Sequence, residues 1–152
     1  MAFEKGASSL KSVKIIETGN GDGTNNLATE KKYYVLVVDD DAVIRKIHSM
    51  ILSKFPVEIQ VAKNGKEAVD LFCSGAFFDL VLMDFEMPIM NGFEATKELR
   101  AMGVNSMIAG VTSRASDSEK KAFMEAGLTH CYAKPLTVEI IKTLLQELNE
   151  NN

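Results

Sequence analysis

The stretch Leu82-Met83-Asp84-Phe85-Glu86-Met87-Pro88 decides how this chain folds. An apolar run that begins at Leu80 ends on the carboxylate of Asp84, and Pro88 follows four residues later. An apolar run of this length, followed by residues that break regular structure, predicts a buried strand. A carboxylate at the end of a buried strand is costly unless a cation or hydrogen-bond donors accompany it. We therefore expect other parts of the chain to bring such partners to Asp84.

The flanking sequence predicts four more strands and five helices, in strict alternation. The strands are apolar or alternating runs at 34–38, 57–61, 107–112 and 129–133, in addition to 80–84. Helical spacing and end signals place the helices at 42–55, 66–74, 93–102, 116–127, which starts with a Ser-x-x-Glu capping box, and from 137 onward. Such alternation predicts an α/β fold with a parallel sheet and helices on both faces. The second and fifth strands are the most polar and should be edges, as the order 2-1-3-4-5 allows.

Composition and charge restrict the function. The chain has 152 residues, of which 46% are hydrophobic and 25% charged, as in a globular protein. We expect one domain over 33–149, preceded by a polar N-terminal extension, 1–32, that is mobile or partly ordered. A net charge of −4 argues against a nucleic-acid partner. No apolar run has membrane-spanning length and no signal peptide is recognisable, so we expect no membrane partner. We further expect a monomer located in the cytoplasm or nucleus.

Four predicted strands end in residues that suit phosphate chemistry: Asp39-Asp40, Asp84, Thr112 and Lys134. The carboxyl ends of parallel strands share one sheet edge, and the order 2-1-3-4-5 has its topological switch point between the first and third strands. Three carboxylates this close need a cation, and oxygen ligands favour Mg²⁺, with Mn²⁺ as the second possibility. Asp84 is the candidate nucleophile for an acyl phosphate, with Thr112 and Lys134 as donors to the phosphoryl oxygens.

These motifs carry a family resemblance. The segments 37–41 (VVDDD), 82–92 (LMDFEMPIMNG), 111–113 (VTS) and 133–136 (AKPL) resemble the signature of receiver domains of two-component response regulators, which have a flavodoxin-like fold. The segments 107–113 and 120–131 are similar to plant type-C response regulators. Those proteins are stand-alone receivers in the multistep phosphorelay of the cytokinin type.

The resemblance implies a role for each matching residue. Asp84 would accept the phosphoryl group, and Thr112 and Lys134 would bind it. Four metal ligands are implied: Asp84, Asp40 directly, Asp39 through water, and Glu86 through its backbone carbonyl.

The resemblance also implies a cis Lys134–Pro135 peptide bond and a partner. The phosphoryl donor would be a phosphohistidine on a histidine phosphotransfer protein. This partner would dock over the strand ends and the first helix, with contacts at Ala42, Val43 and Arg45.

Two departures from the family pattern refine the hypothesis. Cys131 occupies the position, three before the lysine, where many receivers have Tyr or Phe, so the usual aromatic switching is not expected. No output domain is expected after the last helix. Both favour a phosphate sink, in effect a phosphohistidine phosphatase, whose chemistry would be Mg²⁺-dependent self-phosphorylation and autodephosphorylation.

Two other functions are compatible with parts of the sequence. The segment 35–43 also fits the Asp-x-Asp pattern of haloacid-dehalogenase-type phosphatases, with Asp39 as nucleophile and Asp41 as acid/base, although Asp41 also suits a helix N-cap. The second alternative is an interaction module that is not phosphorylated. Glu86 and Arg114 form either an ordinary surface ion pair or a control on water access. His48 is assigned no role.

Overall fold

The computed structural model describes residues 31–113 and 115–151. Residues 1–30 of the predicted N-terminal extension lie outside the described residues. The strands are β1 Tyr33–Val38, β2 Val57–Ala62, β3 Leu80–Asp84, β4 Met107–Thr112 and β5 His130–Ala133. The helices that follow them are α1 Ala42–Leu52, α2 Gly65–Cys73, α3 Gly92–Ala101, α4 Asp117–Glu125 and α5 Val138–Glu150. Among these residues, no helix combines the length and apolar character needed to cross a bilayer.

The strands form one parallel sheet in the predicted order β2-β1-β3-β4-β5. Register aligns the strand ends, since Val38 pairs with Met83, Asp84 with Val111, and Thr112 with Ala133. The residues that end or directly follow β1, β3, β4 and β5 therefore meet at one edge of the sheet. The α/β fold predicted from the sequence is confirmed, including the polar strands at the two edges.

Each face of the sheet is covered by its own helices. Side chains alternate between the two faces of a strand, so Leu36 and Val38 belong to one core and Val35 and Val37 to the other. The first core is completed by residues of α2, α3 and α4, such as Ala68, Leu99 and Phe123. The second is completed by residues of α1 and α5, such as Leu52, Ile141 and Leu144. Every central strand is thus buried on both sides, which explains its continuous apolar sequence.

Most element ends agree with the sequence to within two residues, but α1 is shorter than predicted. It ends at Leu52 instead of Phe55. Phe55 precedes Pro56, whose ring disfavours a helical conformation in the residue before it. The chain therefore tightens into a turn, in which Phe55 N donates to Leu52 O at 2.9 Å. The predicted capping box of α4 is present, with Ser116 and Glu119 each binding the other's backbone N–H.

Candidate functional site

The three predicted carboxylates come together at the ends of β1 and β3. One carboxylate oxygen from each of Asp39, Asp40 and Asp84 lies within 4.8 Å of the others. Asp39 and Asp84 are buried, with 2% and 3% of their surface exposed, whereas Asp40 is exposed. Two of the negative charges are therefore largely removed from water, which is unfavourable unless positive charge lies beside them.

Lys134 supplies part of that positive charge. Its Nζ lies 3.0 Å from Asp39 Oδ2 and 3.1 Å from Asp84 Oδ1. Burial alone would lower the pKa of Lys134, but the hydrogen bonds to the two carboxylates outweigh it and raise the pKa. The lysine is therefore charged, and when all three carboxyl groups are ionised the cluster carries two more negative charges than positive ones.

The oxygens of Asp39 are all engaged. Oδ1 accepts from the backbone N–H of Asp41 at 2.9 Å, and Oδ2 accepts from Lys134. The main-chain carbonyl of Asp39 accepts from Nη1 of Arg45 at 2.7 Å. The Asp41 side chain caps α1 by accepting from Val43 N at 2.8 Å, as the sequence predicts for a helix N-cap.

Asp84 differs because one of its carboxylate oxygens has no partner. Oδ1 accepts from Lys134, but Oδ2 is buried and has no hydrogen bond to any of the described residues. Burial, and secondly the charge of Asp39, raise the pKa of Asp84 from 3.8 to about 7, although Lys134 opposes the shift. A buried, unpartnered carboxylate oxygen beside excess negative charge fits a hard divalent cation, which takes oxygen ligands of this kind.

Thr112 and Glu86 are placed differently. Thr112 ends β4 and is 5% exposed, and its Oγ1 accepts from Ala115 N at 3.2 Å. Its hydroxyl proton is not used in that bond and can be donated to another group.

Glu86 is exposed and does not belong to the carboxylate cluster. Its predicted ligand atom is the backbone carbonyl, which stays a prediction, and Arg114 lies outside the described residues, so the Glu86–Arg114 hypothesis also stays open.

Three residues support the site in ways that the sequence did not indicate. A Cβ atom on Gly92 would overlap the carbonyl oxygen of Asp84, so the loop after β3 folds back directly onto this residue. In the sequence, Asn91-Gly92 ends the segment 82–92, and an Asn-Gly pair by itself indicates only a turn. Arg45 was expected at a docking surface, yet it also binds the main chain of Asp39. His48, which was assigned no role, is buried and accepts from Leu136 N at 3.0 Å.

The Lys134–Pro135 peptide bond is cis, as the family resemblance implied. Ala42 and Val43, which were expected at the partner contact, are exposed at the start of α1. Val43 has 64% of its surface exposed, which is high for an apolar residue. A partner contact at this position is compatible with that exposure but stays a prediction.

Known proteins are similar to this chain in sequence. Residues 35–146 match the family model described as the response regulator receiver domain. The chain is 54% identical over 124 residues to two-component response regulator 24 of Arabidopsis thaliana, with 82% of this chain and 88% of the relative covered. It is 51% identical to the Arabidopsis two-component response regulator ARR22, with 86% and 94% covered. The resemblance to plant response regulators is therefore confirmed.

A solved structure is also similar. It is the co-crystal structure of the Saccharomyces cerevisiae histidine phosphotransfer signaling protein Ypd1 with the receiver domain of the response regulator Ssk1. The TM-score is 0.69 at 26% identity, with 77% of this chain and 88% of that chain covered. The sheet order, the acid cluster and these matches agree, and the chain belongs to the response regulator receiver domain family of two-component signalling.

Proposed function

We propose that this protein accepts a phosphoryl group on Asp84 from a phosphohistidine of a histidine phosphotransfer protein and then releases it to water. The observation that carries the proposal is Asp84 itself. It combines a buried, unpartnered Oδ2 with an ammonium 3.1 Å from Oδ1. The similar yeast receiver was solved with a phosphotransfer protein, which supports a partner of that kind.

In the proposed transfer, a carboxylate oxygen of Asp84 attacks the phosphorus atom. A bond forms between that oxygen and phosphorus, while the bond from phosphorus to the donor's imidazole nitrogen breaks and its electron pair stays on the imidazole. Lys134 and Thr112 would donate hydrogen bonds to the phosphoryl oxygens as the charge on them changes. In the second step, water attacks the phosphorus, inorganic phosphate leaves, and the carboxylate of Asp84 is restored.

Mg²⁺, or Mn²⁺ in its place, would be held by Asp40 and Asp84 directly, by Asp39 through water, and by the carbonyl of Glu86. When bound, the ion would supply positive charge to the phosphoryl oxygens and balance the acid cluster. The direct and indirect roles agree with the hydrogen bonds. Both carboxylate oxygens of Asp39 already have partners, whereas Oδ2 of Asp84 has none.

The surroundings of Cys131 support the proposal that the phosphoryl group is finally released to water. It lines a cavity of about 160 Å³ together with six other residues: Thr112, Ser113, Ala115, Lys120, Tyr132 and Ala133. This volume has room for several water molecules next to the Thr112 hydroxyl. An aromatic side chain at position 131, which many receivers have, would occupy part of the same space. The cavity therefore favours a short-lived acyl phosphate, as a phosphate sink requires.

We also propose that this activity belongs to a plant phosphorelay of the cytokinin type and is carried by a monomer in the cytoplasm or nucleus. The two-component response regulators of Arabidopsis support the plant two-component part of this proposal. The haloacid-dehalogenase alternative has no support in the geometry. It requires Asp39 as nucleophile and Asp41 as acid/base, but both oxygens of Asp39 have partners and Asp41 caps α1.

The test is a time course in which a histidine phosphotransfer protein that carries a radiolabelled phosphoryl group is mixed with this protein and Mg²⁺. We expect label to leave the donor, appear on this protein, and accumulate as free phosphate. Asp84→Asn should take no label, whereas Asp39→Asn should retain an acid-labile, hydroxylamine-sensitive label. Cys131→Tyr should lengthen the lifetime of the labelled form, and Cys131→Ser should not. A wild-type protein that leaves the donor fully phosphorylated would eliminate the proposal and favour a non-phosphorylated interaction module.

A further inference from the structure

His48 is a buried polar residue whose ring reaches a distant loop. It lies on α1 with 1% of its surface exposed, and its Nε2 is 3.0 Å from the backbone nitrogen of Leu136. The two residues are 88 positions apart in the sequence. A polar ring in an apolar core is unfavourable unless it is hydrogen-bonded, so this contact accounts for the presence of histidine here.

The direction of this hydrogen bond follows from the donor. A backbone N–H can only donate, so Nε2 of His48 must be the unprotonated nitrogen and the ring proton must lie on Nδ1. Burial lowers the pKa of His48, with Lys134 acting in the same direction and Asp39 against it, so the neutral ring is favoured. A Phe or Leu side chain would fill a similar volume but would leave Leu136 N without its acceptor.

The loop that His48 holds carries Lys134. On the amino side of this lysine, its own N–H donates to Thr112 O at 3.1 Å. On the carboxyl side, Pro135 has no N–H to offer, so Leu136 N is the next main-chain donor, and it donates to His48. The lysine is thus held between a hydrogen bond to β4 and a hydrogen bond to α1.

Helix α1 is itself fixed to the acid cluster. Its N-cap residue, Asp41, donates its N–H to Asp39, and Arg45 donates to the Asp39 carbonyl. His48 therefore connects the lysine loop to the same helix that is anchored at the acids. A displacement of about 1 Å in a reacting group can reduce a reaction rate by about 100-fold. A contact that fixes the position of Lys134 can therefore affect the rate.

We propose that His48 is a positioning residue, which holds the Lys134 ammonium at the carboxylates of Asp39 and Asp84 by accepting the hydrogen bond from Leu136. This inference rests on the proposed phosphoacceptor function for its consequence in rate. The proposed role of His48 in placing Lys134 does not depend on that function.

The test compares His48→Phe, which keeps the volume without the acceptor, with His48→Gln, whose amide oxygen can accept. Labelling of Asp84 is followed with acetyl phosphate and Mg²⁺, and the Lys134 ammonium resonance is followed by ¹⁵N NMR. We expect His48→Phe to slow labelling about tenfold and to shift the resonance towards that of an exposed lysine. In His48→Gln, the labelling rate of Asp84 and the Lys134 resonance should both stay close to those of the wild-type protein.

Leu52→Ala is the matched control, because it weakens the same helix in the same core but does not remove the acceptor of the Leu136 N–H, which is His48. It should lower stability but leave the Lys134 resonance in place. An unchanged resonance in His48→Phe, or no recovery in His48→Gln, would overturn the positioning role. A wild-type protein that takes no label from acetyl phosphate and also leaves the phosphotransfer protein phosphorylated would instead reject the proposed function, while the NMR comparison would still decide the role of His48.

Discussion

The ends of β1 and β3 carry buried aspartates with opposite environments. Asp39, after β1, has partners for both carboxylate oxygens and for its carbonyl. Asp84, at the end of β3, shares Lys134 but has a buried Oδ2 without a partner. The two residues have the same chemistry and nearly the same exposure, so the neighbouring groups create the difference. Hydrogen bonds hold the Asp39 carboxylate in place, while Asp84 is left able to bind a new group.

The environment of Asp84 lowers the stability of the metal-free protein. Burial next to Asp39 raises the pKa of Asp84 to about 7, which means that folding disfavours its charged form. The protein thus holds an unfavourable charge at the position where we propose that a cation and a phosphoryl group bind. Strain or unfavourable charge at a functional site is common, and the surrounding fold supplies the stability that compensates for it.

The largest expected effect is that the two Asp→Asn substitutions change stability in opposite directions. Without divalent metal and near pH 8, Asp84→Asn should stabilise the protein by roughly 1–3 kcal/mol, because it removes a disfavoured charge and one pKa unit corresponds to about 1.36 kcal/mol. Asp39→Asn should destabilise it by roughly 1–3 kcal/mol, because charge-assisted hydrogen bonds to Lys134 and Asp41 are weakened. Urea unfolding in the presence of a chelator measures both changes.

The pH dependence of stability should show whether the charge of Asp84 stabilises or destabilises the folded protein. Its pKa is raised in the folded state from 3.8 to about 7, so the folded protein binds the proton more tightly than the unfolded chain. Wild-type stability should therefore fall relative to Asp84→Asn as pH rises from 3.8 through 7, and Mg²⁺ should reverse that loss by binding the folded state. If Asp84→Asn were less stable than wild type across this range, Asp84 would be as well satisfied as Asp39.

Gly92→Ala acts on the main chain of Asp84, and we expect its effect to be smaller than the difference in stability between the two Asp→Asn variants. The added Cβ would overlap the Asp84 carbonyl oxygen and lie 3.0 Å from the ring of Phe123, so the loop or the strand end must shift. Forcing atoms into a packed site typically costs about 1–3 kcal/mol. Urea unfolding should show a loss of that size, together with slower labelling of Asp84. Glu98→Ala, on the exposed surface of the same helix, is the control and should change stability by less than about 0.5 kcal/mol.

The sequence was sufficient to predict the fold and the sheet edge at which the candidate site residues lie. Apolar runs, breakers and polar strand ends placed Asp39, Asp84, Thr112 and Lys134 at one sheet edge, because parallel strands must align their carboxyl ends. The alternation of strands and helices and the polarity of β2 and β5 were enough to order the sheet. These features depend on patterns that recur over many residues, and such patterns tolerate small errors at the ends of elements.

The unequal environments of the two aspartates could not be predicted in the same way. They depend on single atoms, such as Nη1 of Arg45 at the Asp39 carbonyl and, through the loop that carries Lys134, Nε2 of His48 at Leu136 N. A histidine at a helical position next to apolar residues has the same pattern whether it accepts a functional hydrogen bond or merely packs. Gly92 looked like a turn residue, and only the fold brings the Asp84 carbonyl against it.

The smallest effect is expected from Arg45→Met, which acts on the main chain of Asp39. Met keeps much of the apolar stem of this half-buried side chain but removes the 2.7 Å hydrogen bond to the Asp39 carbonyl. Loss of one such bond typically costs about 0.5–1.5 kcal/mol, and here water can replace part of it. Lys46→Met, at the exposed neighbouring position, is the control for the change in charge. Because Asp39 keeps its bonds to Asp41 and Lys134, labelling of Asp84 should fall by less than in Gly92→Ala. A larger fall would mean that the fixed aspartate, more than the loop behind Asp84, determines the geometry of transfer.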